Sequence, residues 1–160
     1  MVRVVVQRAR DASVSVDGTV VGSFPGPGLV VLVGVTHTDT AAEAAALASR
    51  VYGLRIFEQA HLQEVGGRIP ADAGREVSAR DGSLPVLAIS QFTLYGSTRK
   101  GRRPTWDAAA PGPIAEPLFE AFVEALRAEG APVSTGRFGA DMQVHFTNDG
   151  PMTLVMDSAD

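Results

Sequence analysis

The chain has 160 residues and a mass of 16.7 kDa, enough for one domain with its own core and too little for two of ordinary size. With 45% hydrophobic and 20% charged residues it has a globular composition, and no apolar run approaches the ~18–20 residues a membrane-spanning helix needs. A net charge of −4 argues against a protein that coats nucleic acid through a broad basic face, and zero cysteines exclude disulfides, thiolate metal sites and cysteine nucleophiles.

Val2 to Arg8 alternates as a strand does, and its apolar start is too short and too β-branched for a secretory leader, so a cytoplasmic location is expected. Ala12–Val16 and Thr19–Ser23 flank Asp17-Gly18, a pair that favours positive φ, and predict a hairpin. Phe24-Pro25-Gly26-Pro27-Gly28 reads as a break, after which the nearly continuous apolar run Leu29–Val35 predicts a central strand covered on both faces. Thr40-Ala41-Ala42-Glu43 has capping-box spacing, and the Ala-rich stretch through Leu54 predicts a helix packed on the sheet. Arg55–Glu58 returns to extended structure. Gln59–Ser83 holds five glycines or prolines in 25 residues and predicts a long irregular excursion, with a short hairpin at Val65–Arg68.

Leu87-Ala88-Ile89 predicts a buried strand. Ile114–Glu129 predicts the second main helix, with Ile114, Leu118, Phe119, Phe122, Val123 and Leu126 on one stripe. A start near Pro113 puts Pro117 in the first turn, where proline is tolerated, and Gly130 ends the helix. Met142–Thr147 and Met152–Met156 predict two strands divided by Asn148-Asp149-Gly150-Pro151. About seven strands and two main helices, joined by hairpins and strand-helix-strand crossovers, describe one α+β domain over residues 1–160, built on a mixed, curled sheet. Neither GxGxxG nor a P-loop occurs, so a nucleotide-cofactor fold has no support and no cofactor is expected.

The stretch with the most chemistry is Ser90-Gln91-Phe92-Thr93-Leu94-Tyr95-Gly96, where an apolar strand runs into side chains that hydrogen-bond or stack. A rigid strand delivering polar groups to a sheet edge is a good scaffold for a site. Directly after it, Ser97–Pro104 carries Arg99, Lys100, Arg102 and Arg103, four of the 14 basic residues, which points to an anionic substrate. The Thr93 hydroxyl is a weak nucleophile unless a base takes its proton, and no base accompanies it in the sequence. His37, His61 and His145 each read as surface or packing residues, and Asp141 and Asp149 as turn or surface carboxylates. No His-x-x-x-His or clustered carboxylates with ligand spacing appear, so no metal is expected. From spacing alone, Gly150-Pro151 reads as a plain turn.

Taken in order, Ser90–Tyr95, Lys100-Gly101-Arg102-Arg103-Pro104, Thr135–Met142 and Asn148-Asp149-Gly150-Pro151-Met152-Thr153 resemble the motifs of the D-aminoacyl-tRNA deacylase family. The likeness runs from Val6-Gln7-Arg8 through Arg55–Glu58 to Asp157 and departs from the family pattern between Glu58 and Ser83. It implies a homodimer that hydrolyses the ester between a D-amino acid, or glycine, and the terminal ribose of tRNA, while sparing L-aminoacyl-tRNA, a proofreading activity. It also implies that Ser90, Gln91, Phe92 and Thr93 line the pocket for the terminal adenosine and aminoacyl group. Asn148–Thr153 would carry a cis Gly150-Pro151 bond inserted into the partner subunit's pocket, with Arg8 holding that motif in place. Lys100, Arg102 and Arg103 are then candidates for phosphates near the acceptor end, and Phe92 or Phe138 for stacking on the terminal adenine.

Two mechanisms stay open. In one, Thr93 forms an acyl-enzyme. In the other, favoured because Thr93 lacks a base, backbone N–H groups near Phe92 and Thr93 stabilise the oxyanion and a water attacks with help from the ribose hydroxyl. The rival functions are a non-catalytic RNA-binding module and a general small-molecule esterase.

Overall fold

In the computed structural model, which describes residues 1–160, Asp17 and Gly18 have φ of 50° and 80°. Two consecutive residues with positive φ make the hairpin turn whose twist matches its flanking strands. Those strands are far longer than the sequence pattern shows. β1 (Arg3–Val16) and β2 (Thr19–Gly34) pair antiparallel from Val16 opposite Thr19 to Arg3 opposite Gly34. The predicted break at Phe24–Gly28 is a bend inside β2. Pro25 and Pro27 lie before β2 begins to pair with its second neighbour at Leu29, so their missing N–H groups interrupt no ladder on that side. A register shift between Arg10 and Ala12 bends β1 alongside, with Asp11 at φ 52° accepting from the Gly26 N–H at 2.8 Å.

β2 is central, as expected. β5 (Val86–Ser90) pairs parallel to it and β6 (Val133–Thr135) parallel to β5, while β7 (Gln143–Asp157) pairs antiparallel to β1. The resulting order β6-β5-β2-β1-β7 is a mixed sheet, and Leu29, Val30 and Val31 of β2 are fully buried because both faces are covered.

On one face lie α1 (Ala41–Tyr52) and α3 (Gly112–Ala128). The capping box holds: the Glu43 N–H donates to the Thr40 hydroxyl at 3.2 Å and the Thr40 N–H to the Glu43 carboxylate at 2.7 Å. Leu47, Val51 and Tyr52 of α1 and Phe119, Phe122 and Leu126 of α3 join Val4, Val6, Val31 and Val86 of the sheet in the main core. Ile114, placed on the buried stripe by spacing, is 39% exposed, and Ala115 is buried instead. Because α3 starts at Gly112, Pro117 falls in its second turn rather than the first. The other face closes on a smaller core that brings Val14 of β1 together with Val30 of β2 and Leu87 and Ile89 of β5, which is possible only because the sheet curls.

Two further expectations are corrected. The predicted pair of strands after Met142 is one strand, β7, at the sheet edge. Its partner register jumps from Ala9 opposite Asn148 to Gln7 opposite Thr153, so Asp149–Met152 bulges out across from the single residue Arg8. The excursion after Glu58 is also ordered. It contains α2 (Gln59–Glu64), and β4 (Glu76–Val77) returns to pair with β3 (Phe57–Glu58). Leu62 and Val77 anchor it in the main core, and no hairpin forms at Val65–Arg68, where the Gly67 N–H closes α2 on the Leu62 carbonyl.

Candidate active site

The strand predicted at Leu87–Ile89 is β5, which stops at Ser90, opposite Val33. The Gln91 N–H adds one more rung to the Val33 carbonyl at 2.7 Å, and the chain then coils into a short 3₁₀ turn over Phe92–Tyr95. The turn packs tightly on β2 at Gly34, where a Cβ would sit 2.9 Å from the Leu94 Cβ. Its tightness pushes Phe92 outward, 53% exposed. The opening N–H groups of this turn, those of Phe92 and Thr93, have no acceptor within it.

Beyond Ser90 lies a cleft of about 420 Å³ at the carboxyl ends of the parallel strands β2 and β5. Ser90, Gln91 and Phe92 form one wall, Phe138 to Met142 with Val144 the other, and Val33, Val35, Ala110 and Ala115 contribute apolar surface. Concave, mostly apolar and edged by a few polar groups, it has the character of a ligand site. Thr93 stands just outside the lining. Its hydroxyl accepts from the Gln91 side-chain amide, which is no base at neutral pH. No histidine bonds to it: His37 meets the Asp107 carbonyl, His61 meets Asp149, and His145 is exposed on β7. Tyr95 faces away from the cleft, its hydroxyl donating to the Met1 carbonyl and Arg3 lying 5.2 Å over its ring. Burial pushes its phenol up to about 12.

After the turn, Ser97 and Thr105 exchange two backbone hydrogen bonds of 2.8 and 3.0 Å and tie off the basic loop. Arg99, Lys100, Arg102 and Arg103 are all exposed, and none forms an ion pair with a carboxylate. Sequence reasoning missed Trp106, which leaves this loop 42% exposed and meets Phe92 edge to face at 5.3 Å and 76°. Its signal was plain: it is the only tryptophan and follows a basic run.

The remaining candidates gather elsewhere, at the β7 bulge. Arg8 donates through Nε to the Asp149 carbonyl at 3.0 Å and through Nη1 to the Ile56 carbonyl at 2.7 Å. Asn148 closes the bulge, its amide donating to the Thr153 hydroxyl at 2.9 Å and its Oδ1 accepting from the Met152 N–H at 2.9 Å. Gly150 has φ +133°, open to glycine and strained for any other residue, and a Cβ there would lie 3.0 Å from Arg8 Nη2. The Gly150-Pro151 bond is cis. Both residues are exposed, and neither they, Asn148 nor Arg8 line the cleft of their own chain. Asp149 and His61, read from sequence as surface groups, meet at this bulge with a 3.1 Å contact.

Fold and cleft together define an α+β domain that can take a ligand part apolar and part anionic. A family model described as D-Tyr-tRNA(Tyr) deacylase matches residues 5–157. The D-aminoacyl-tRNA deacylase of Cutibacterium acnes is 56% identical over 158 residues, covering 99% of this chain and 98% of that one. That of Thermobifida fusca is 55% identical over 155 residues, covering 97% and 99%. Among solved structures, a c-Myc DNA unwinding element binding protein superposes with a TM-score of 0.80 at 34% identity over 97% of both chains. A probable eukaryotic D-amino acid tRNA deacylase gives 0.76 at 17% identity, a likeness of fold, over 97% of this chain and 98% of that one. The chain belongs to the D-aminoacyl-tRNA deacylase family, hydrolases that act on the ester joining an amino acid to tRNA. That sets aside the reading as a non-catalytic RNA-binding module.

Proposed function

We propose that the cleft beyond Ser90 is where this protein hydrolyses the ester of D-aminoacyl-tRNA, with the terminal adenosine and the aminoacyl group held between Ser90–Phe92 and Phe138. The observation that carries this reading is the cleft's wall: it includes Phe92, half of an exposed aromatic pair with Trp106, and the chain runs from that wall into a loop of four unpaired cations. An aromatic face suits a base, and Lys100, Arg102 and Arg103 suit the phosphates that lead to it. The N–H groups of Phe92 and Thr93 face no acceptor in their turn and supply the oxyanion contacts, while a water attacks with help from the ribose hydroxyl. Thr93 positions and does not attack.

Discrimination comes from the other cluster. In a homodimer, the exposed Gly150-Pro151 of one subunit enters the partner's cleft, its carbonyls accept from the substrate ammonium, and no space is left for an L side chain. Exclusion of this kind needs no recognition of any particular D side chain, so many are accepted, glycine included. Such an enzyme works where tRNA is charged, in the cytoplasm. The test is to incubate the protein with matched D- and L-aminoacyl-tRNA and with the free amino-acid ester, following amino-acid release. Release from the D-aminoacyl-tRNA alone is expected; equal release from the free ester would make the protein a general esterase and overturn the reading.

A further inference from the structure

The segment between Glu58 and Ser83 reaches the Gly150-Pro151 bulge through two side chains of α2. His61 sends Nε2 to within 3.1 Å of Asp149 Oδ2, and Glu64 takes both terminal nitrogens of Arg10, at 2.6 and 2.7 Å. Arg10 Nε lies 3.5 Å from the same Asp149 oxygen and Arg8 Nε 3.8 Å. One hydrogen bond and two ion pairs, from two elements, therefore converge on the carboxylate that immediately precedes Gly150. The His61 ring is itself fixed. Its Nδ1 accepts from the Glu58 N–H at 2.9 Å, and it stands edge to face on the fully buried Phe57, with centroids 5.4 Å apart. Because Nδ1 accepts, the ring hydrogen sits on Nε2 and donates to Asp149.

We propose that His61 is a positioning residue for chiral discrimination: α2 is a strut that transmits the rigidity of the core, through the His61 Nε2–Asp149 hydrogen bond, to the Gly150-Pro151 bulge. The inference rests on reading Gly150-Pro151 as the segment that excludes L substrates. A bulge on an edge strand has neighbours on one side only, so the far end of the bulge needs a brace from outside the sheet. Arg8 fixes the Asp149 carbonyl; His61 fixes its side chain.

The two ring nitrogens are separable. In His61→Asn the side-chain oxygen stands near the place of Nδ1 and still caps α2, but the shorter side chain no longer donates to Asp149, which keeps only its two arginine ion pairs. In His61→Gln the side-chain amide reaches Asp149, and the α2 cap is lost. The readout is the ratio of kcat/KM for D- over L-aminoacyl-tRNA, with thermal unfolding measured alongside. His61→Asn is expected to lower the ratio about tenfold, the worth of one hydrogen bond, while His61→Gln stays within about threefold of wild type. The opposite order, or a ratio unchanged in both, overturns the proposal.

If both variants lower the ratio, a cycle with Asp149→Ala decides: the double variant His61→Asn/Asp149→Ala no worse than Asp149→Ala alone supports the proposal, and additive losses overturn it. Gly150→Ala serves as a separate arm. A wild-type ratio in that variant would defeat the reading of Gly150-Pro151 itself, whereas a lowered ratio there with no effect at His61 would defeat the strut alone.

Discussion

The hydroxyl of Thr93 stands beside an amide, and an amide accepts no proton at neutral pH, so the group that looks most like a nucleophile has nothing to activate it. Thr93→Ala is therefore expected to keep its deacylation rate within about tenfold of wild type in single-turnover assays, a loss fit for a positioning role rather than a nucleophile. Complete loss, together with an acyl-threonine trapped in the wild type, would reverse that assignment. At this scale the sequence was a good guide where a residue broke a local pattern. Ser90, Gln91 and Phe92 stood out because polar and aromatic groups end an apolar strand, and all three line the cleft. Asp149 and His61 were invisible because their meaning lies in each other, 88 positions apart in the chain.

Among the elements, the basic loop and β7 carry the most testable chemistry. Four exposed cations without carboxylate partners lose nothing internal when neutralised, so changes at Lys100, Arg102 and Arg103 should act on tRNA binding and leave folding alone. Replacing Arg102 by Gln should raise KM for aminoacyl-tRNA and lower the slope of log KM against log salt by about one for each phosphate that the side chain neutralises. An unchanged slope would remove that residue from the tRNA path.

At the far end of β7, Arg3 donates to both Asp157 oxygens at 2.8 and 2.9 Å and pins the edge strand to β1. That hydrogen bonding holds the Asp157 carboxyl below its ordinary value of 3.8. The folded chain thus gives up this proton more readily than the unfolded chain, and the associated stability is complete above the unfolded value and is lost as pH falls through the folded one. Asp157→Asn should lower Tm by about 2–4 °C near neutral pH, with the gap closing below about pH 4. A gap independent of pH would mean that the charge is not what matters.

The long helices and the central strand were legible because each carries its signal over many residues: a capping box and an Ala-rich run for α1, one apolar stripe for α3, and a nearly continuous apolar run for β2. β3 lay within the extended stretch expected at Arg55–Glu58, but α2 and β4 were not legible, since six and two residues are too few to show a period and are held by Leu62 and Val77 in a core that the rest of the fold supplies. β1, β2 and β7 were under-read for another reason. Prolines and bulges interrupt their alternation while the backbone pairing continues past them.

For the whole molecule, the mixed, curled α+β sheet was readable from the order of elements, whereas the meaning of its outer edge was not. β7 is an edge strand of fifteen residues with Val155 64% exposed, longer and more apolar than an edge left to solvent should be. One chain holds the cleft and the Gly150-Pro151 bulge in different places, so the proposed site is complete only when two chains meet. Sedimentation should give a mass near twice 16.7 kDa at assay concentrations, and a monomer with full activity and selectivity would refute the shared site.

The most direct measurement uses a purified heterodimer of two differently tagged chains. One carries Ala140→Trp, which fills its cleft and leaves its Gly150-Pro151 intact; the other carries Gly150→Ala in an open cleft. The only working cleft then belongs to the Gly150→Ala chain, and the readout is its rate on D- against L-aminoacyl-tRNA. If Gly150-Pro151 acts in the partner's cleft, the heterodimer hydrolyses the D ester and spares the L ester as the wild type does. If it hydrolyses the L ester as freely as the Gly150→Ala homodimer, the segment acts within its own chain and the account is contradicted.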